Sequence, residues 1–167
     1  MNKIKKTIVV YNEIAATYAK TFEKPSEHID EFLKFIPRNG RILDTGCGLD
    51  VDAKYIQERG FALTVIDLSK KMLETAKNYA PLVKFKSLYY RKLIFPSNSF
   101  NGALSSFSII HIPKKEVLAT LKDFHKILKK EGTLYLSFQE GNSQEIFIDS
   151  PIQNNKKLFL NVFLQKK

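Results

Sequence analysis

The chain has 167 residues, 44% of them hydrophobic, and a formal net charge of +10. That suits one domain with a sizeable core and excludes a disordered or fibrous chain. Cys47 is the single cysteine, so an internal disulfide and a four-cysteine zinc site are excluded, and a reducing, cytoplasmic home is the expectation. No apolar run approaches the ~20 residues of a membrane span. The apolar stretch 8–10 breaks at Tyr11-Asn12-Glu13, too soon for a signal peptide.

The basic excess comes from lysine: of 27 basic residues only four are arginine (Arg38, Arg41, Arg59 and Arg91). The lysines fall in scattered pairs such as Lys5-Lys6, Lys70-Lys71 and Lys129-Lys130. Nucleic-acid surfaces combine arginine forks with aromatic platforms. The charge therefore reads as a solvated lysine-rich surface; an anionic partner is the alternative, and a nucleic acid is disfavoured without being excluded.

In chain order, residues 3–19 carry apolar side chains at helical spacing (Ile4, Ile8, Tyr11, Ile14, Ala15, Tyr18). A second helix is expected after Pro25, with Ser26 as its N-cap and Ile29, Phe32, Leu33 and Ile36 as the buried stripe, closed by the turn 37–40. The period then changes. Residues 41–44 form a short apolar strand, 45–48 a glycine turn, and 51–59 a helix ended by Gly60. A uniformly apolar strand, 61–66, follows, as expected where both faces are covered. Then come a helix over 70–79, strands over 83–88 and 102–108, an amphipathic helix over 115–129 capped by Gly132, and a strand over 133–138. Beyond it one amphipathic or strand-like piece, 157–164, is visible.

Strand and helix alternate from 41 to 138 with short connections, which predicts an α/β fold: a doubly wound, mostly parallel sheet with helices on both faces. The expected organisation is one domain, 1–167, with a helical lid (1–37), the alternating core (41–138) and a shortened C-terminal segment (139–167). The C-terminal strand pair is expected to be incomplete, leaving an apolar sheet edge that favours a homodimer, another partner or poor behaviour alone.

The informative stretch is ILDTGCGLDVDAKYIQERG and the strand after it, ending in VIDLS. Gly46 and Gly48 permit a tight turn and close backbone approach to a ligand, and the following helix aims its free N–H groups at the same space. Asp67 ends the next strand about 20 residues on, where a carboxylate can accept from ribose hydroxyls. A ligand crevice is expected at these strand ends.

These features together resemble the class I S-adenosylmethionine (SAM)-dependent methyltransferases, in particular the small-molecule branch that includes quinone-biosynthesis enzymes. Asp44-Thr45-Gly46-Cys47-Gly48 resembles the family's first motif and Val65-Ile66-Asp67-Leu68-Ser69 its second. Residues 93–100 resemble its L-P-F-P-D-N-S-F segment, 105–113 its fourth strand with a following histidine, and 128–134 the turn into its fifth strand. The resemblance implies a Rossmann-like fold, SAM as cofactor with S-adenosylhomocysteine (SAH) as product, and a small-molecule acceptor. It further implies that Gly46, Cys47 and Gly48 lie against the methionine half of SAM, with Asp44 at its ammonium and Asp67 on the ribose. Leu68 and Met72 would flank the adenine, and Ser106 and Phe107 would line the crevice near the methyl group. Tyr11 and Tyr18 would form a lid. For Met72, Tyr11 and Tyr18, core packing is the competing reading, and the Cys47 thiol is an inert small hydrophobe. His111 is the candidate general base, against the reading that it packs or caps a loop. His28 and His125 are assigned no role, lying on helices outside the expected crevice. No metal-ligand cluster is apparent.

Three departures from the family pattern support a second reading, a non-catalytic methyltransferase-like domain that binds SAM or a partner. Asp50 stands where a small residue is usual, either opposing the cofactor carboxylate or capping the next helix. Tyr89 replaces the acid that usually meets the adenine amine, and Asn101 another acid. The chain after 138 is short. An RNA methyltransferase has only the +10 charge in its favour. A nicotinamide dehydrogenase is disfavoured because the turn lacks the third glycine of its fingerprint.

Overall fold

The computed structural model describes residues 3–18, 24–46, 48, 51–89, 92–141, 145–149 and 157–161. Two helices come first, α1 (Lys3–Tyr18) and α2 (Ile29–Lys34). The core then alternates: β1 (Arg41–Thr45), α3 (Val51–Glu58), β2 (Ala62–Asp67), α4 (Lys70–Tyr79), β3 (Lys84–Ser87) and β4 (Phe100–Ser106). A 3-10 turn, Ile109–His111, leads into α5 (Lys114–Ile127) and β5 (Leu128–Ser137). The last elements are β6 (Glu145–Asp149) and β7 (Lys157–Asn161).

Five parallel strands lie in the order β3-β2-β1-β4-β5. Succession runs one way from β1 through β2 to β3 and the other way from β4 to β5. This switch opens a crevice beyond the C-terminal ends of β1 and β4. Adjacent residues of the central strands feed opposite faces, as the pleat requires. Ile42, Val65 and Leu104 join a core with Phe32, Leu33, Ala53, Ile56 and Met72. Leu43, Ile66 and Ala103 join the other with Phe124 and Ile127 of α5. Both faces are thus covered, and the expected α/β architecture is the one observed.

Local signals explain most boundaries. Ser69 caps α4, its Oγ accepting the Met72 N–H at 3.1 Å, and α4 spans the residues expected. Lys84 and Lys86 are exposed on the outer strand β3, where lysine discourages edge-to-edge pairing. Tyr55 of α3 donates to both oxygens of Asp30 in α2, at 2.8 and 2.9 Å. The Arg59 guanidinium sits 3.3 Å over the Tyr55 ring. These contacts bind α2 to α3.

Several expectations need correction. Ser26 does not cap α2; that helix starts three residues later, behind His28 in a left-handed conformation (φ 64°), and Ser26 is drawn into the crevice. Gly132 does not cap α5. The helix stops at Ile127 because Leu128 already pairs with Phe100 of β4, and Gly132 lies inside β5. β4 starts at Phe100, two residues early. The C-terminal segment yields two strands, β6 and β7, paired antiparallel with each other and outside the five-stranded sheet. β7 packs on α1 and the 3-10 turn. The outer edge of β5 is unpaired among the described strands. No described helix is long and apolar enough to cross a membrane.

Candidate functional site

A cleft of about 390 Å³ lies at the switch point. The ends of β1, β4 and β5 supply Asp44, Gly46, Ser106, Phe107 and Ser137, and the start of α3 supplies Val51 and Asp52. Tyr18 of α1 and the connector 24–28 close it from the other side.

The glycine turn is as tight as the sequence implied. Gly46 has φ +77°, and a Cβ there would overlap Ser108 Cβ. Ser108 in turn donates to the Thr45 carbonyl and shares a 2.6 Å hydrogen bond with Ser105. Gly48 has φ +54° but more room: a Cβ would sit 3.8 Å from Tyr18 Cε1, so the Tyr18 ring lies above this glycine. Cys47 and Asp50 lie outside the described residues.

One wall of the cleft is a run of hydrogen-bonded hydroxyls. Ser26 donates its amide to Asp52 Oδ1 at 2.6 Å and its hydroxyl to Asp52 Oδ2 at 2.5 Å. Ser26 Oγ lies 2.8 Å from Ser106 Oγ, which lies 3.2 Å from Ser137 Oγ. Ser137 Oγ accepts the Phe107 N–H at 3.0 Å. Tyr135 donates to the Glu27 carbonyl at 2.7 Å, fastening the connector. Phe107 adopts φ +47° and is 54% exposed as a residue, a strained conformation for an aromatic residue.

The floor is acidic in a basic protein. Asp44 is buried; that burial, then the nearby Asp52 and Asp67 charges, push its carboxyl well above its ordinary 3.8 against a lowering hydrogen bond from the Thr45 backbone. Burial also raises Asp52, opposed by its two Ser26 hydrogen bonds. Asp67 ends β2, and its Oδ1 accepts the Ser69 N–H at 2.6 Å.

Of the residues singled out from sequence, Asp44, Gly46, Gly48, Ser106, Phe107 and Tyr18 line this cleft; Tyr11, Asp67, Leu68, Met72, Tyr89 and His111 do not. Met72 is 2% exposed and packs in the core against Leu73 and Ala76. Leu68 is half-buried, and Tyr89 packs half-buried against the α5-side core. Tyr11 bonds His111, oxygen to Nε2, at 2.9 Å. Asn12 Oδ1 accepts from the Ser69 hydroxyl at 2.8 Å and the Lys71 amide at 3.2 Å, so α1 is anchored across the ends of β2 and α4. Asn101 stands at the opposite end of the sheet. Its Oδ1 accepts from the Arg41 amide at 3.1 Å and the Lys129 ammonium at 3.2 Å, far from the cleft end of β4. His28, expected outside the crevice, lines it.

Sequence reading missed Ser26, Asp52, Tyr135 and Ser137 as site residues. Position carried a partial signal: Asp52 stands in the first turn after the glycine loop, and Ser137 ends a strand of the sheet. Ser26 gave none, because its partners lie 26 and 80 positions away.

Residues 42–132 match the family described as the methyltransferase domain. The chain is 34% identical over 116 residues to the ubiquinone/menaquinone biosynthesis C-methyltransferase UbiE of Rickettsia bellii, covering 62% of this chain and 46% of that protein. It spans about half the length of the curated relatives it matches. A SAM-dependent methyltransferase of Methanosarcina mazei superposes with a TM-score of 0.73 at 19% identity, over 84% of this chain and 79% of that one. The 1,6-didemethyltoxoflavin-N1-methyltransferase of Burkholderia thailandensis, bound to its substrate and SAH, superposes with a TM-score of 0.68 at 19% identity, over 99% and 75%.

Proposed function

Since the chain belongs to the class I methyltransferase domain family, we propose that it binds SAM beside the glycine turn and transfers its methyl group to a small-molecule acceptor. The observation that carries this reading is Asp44. A buried carboxylate pushed up by burial and by two further carboxylates fits a cationic ligand, whose charge would relieve it. Gly48 borders the same cleft without a Cβ, beneath the Tyr18 ring, which fits the close backbone approach of the same ligand.

SAM supplies, when bound, a sulfonium methyl already activated for in-line displacement. The protein's task is then to align the acceptor and exclude water. We assign Asp44 to the cofactor ammonium, Gly46, Cys47 and Gly48 to backbone contact with its methionine half, and Asp67 to its ribose. Leu68, Met72 and Tyr89 are assigned to the adenine side. For Met72 the assignment requires a shift from its buried position. Ser106 and Phe107 line the acceptor side, and Tyr18 covers the turn. His111, held by Tyr11, takes the acceptor's proton where one must be lost. Residues 1–167 act as one domain, with α1 and the connector 24–28 as its cover.

Thermal unfolding with and without SAH tests the reading. At a hundredfold excess over Kd a ligand stabilises by about 2.7 kcal/mol, so a rise of roughly 5–10 °C is expected. A midpoint unmoved by millimolar SAH contradicts it.

A further inference from the structure

The hydroxyls along the cleft wall have a direction that follows from their partners. Ser26 spends its one hydroxyl hydrogen on Asp52. It has none left for Ser106, 2.8 Å away, so Ser106 donates to Ser26. With that hydrogen committed, the 3.2 Å contact between Ser106 and Ser137 can only have Ser137 as donor. The neighbouring Tyr135 phenol spends its own hydrogen on the Glu27 carbonyl. The Phe107 amide is spent on Ser137 as well. Every hydrogen in the array thus runs inward, towards the Asp52 carboxylate or the Glu27 carbonyl. Lone pairs are what the wall has left to offer the cleft.

We propose that Ser26, Asp52, Ser106 and Ser137 form the acceptor-recognition face of the cleft, selecting a small uncharged molecule that carries hydroxyl or amine hydrogens over one that carries a carboxylate or phosphate. The proposal rests on the methyltransferase reading of the site and names its substrate class. A hydroxyl or amine meets acceptors on every residue of this wall, whereas a carboxylate or phosphate finds no donor among these four side chains and faces the Asp52 charge; the cleft's side-chain donors Tyr18 and His28 lie outside the array. The Phe107 ring borders the same space and supplies apolar contact. Lys24 also lines the cleft but is exposed and stands outside the array. The ammonium of SAM is a donor too, so the experiment has to separate cofactor from acceptor.

Calorimetric titration of the full chain with catechol and with benzoate, each in saturating SAH and again without it, makes that separation. Catechol, with two hydroxyl donors, is expected to bind about tenfold or more tightly than benzoate. In Asp52→Asn, whose amide adds a donor and removes the charge, the gap is expected to narrow to about twofold. Ser137→Ala is expected to weaken catechol several-fold while the SAH affinity, titrated separately, stays within about twofold. Melting curves by circular dichroism confirm that each variant is folded. Equal binding of the two probes by the wild-type chain, or a preference for benzoate, overturns the proposal. So does a Ser137→Ala variant that loses SAH and keeps catechol, which would assign the array to the cofactor. Failure of SAH to bind the wild-type chain counts against the methyltransferase reading instead, and the SAH-free titrations still decide this one.

Discussion

Tyr11 and His111 stand 100 positions apart in the chain and share a 2.9 Å hydrogen bond, phenol oxygen to Nε2. Their rings meet edge to face, with centroids 5.4 Å apart. Burial, with smaller contributions from Tyr18 and Asp67, holds the Tyr11 phenol far above its ordinary 10.0. It keeps its hydrogen throughout the neutral range, so the contact with His111 is a hydrogen bond with a neutral phenol and never a phenolate ion pair. Tyr11→Phe is expected to cost about 1 kcal/mol, read as a lower urea midpoint at unchanged slope. Wild-type stability in that variant would mean the hydroxyl does not hold α1 in place.

The two glycines of the turn separate by what surrounds them. Gly46→Ala forces a Cβ onto Ser108 at a positive φ and is expected to cost about 3 kcal/mol. Gly48→Ala, with 3.8 Å of clearance, is expected to cost about 1 kcal/mol from its backbone alone. Denaturant unfolding of both variants checks the order, and equal costs would contradict it.

Asp44 costs the fold stability at neutral pH. Its carboxyl is raised in the folded state above the ordinary 3.8, so the folded chain holds this proton more tightly than the unfolded chain. The favourable contribution is complete below the unfolded value and is lost as pH rises through the raised folded value. Asp44→Asn is expected to stabilise the chain at neutral pH by on the order of 1 kcal/mol and to flatten the pH dependence of stability. SAH binding should weaken in the same variant. A melting temperature below wild type at pH 7 would contradict this.

Phe107 occupies left-handed backbone and is an exposed residue. Asparagine tolerates that conformation far better, so Phe107→Asn is expected to gain about 0.5–1 kcal/mol. The same change removes the apolar contact offered to an acceptor. A destabilised variant would show that the ring packs more than its exposure suggests.

What could be read in the sequence was what is local. Gly46, the acid ending β2, the Ser69 cap and the alternation of periods each act over a few residues, and together they gave the α/β order and one side of the cleft. Ser26 reads as a cap because an apolar stripe at helical spacing follows it. Its structural partners are Asp52 and Ser106, brought close only when the connector crosses the sheet end. His28 was missed for the same reason. Gly132 was misjudged because strand pairing at Leu128 outranked the helical pattern that continued through it. The β6–β7 pair was half visible: 157–161 read as strand, while its partner at 145–149 did not.

Cofactor binding is tested most directly by calorimetric titration of the chain with SAM and SAH, repeated on Asp67→Ala. Micromolar binding by the wild-type chain, weakened about 10- to 100-fold in the variant through loss of hydrogen bonds to a charged group, is the expected result. No heat from a folded wild-type chain at millimolar ligand, or binding unchanged by Asp67→Ala, would contradict it.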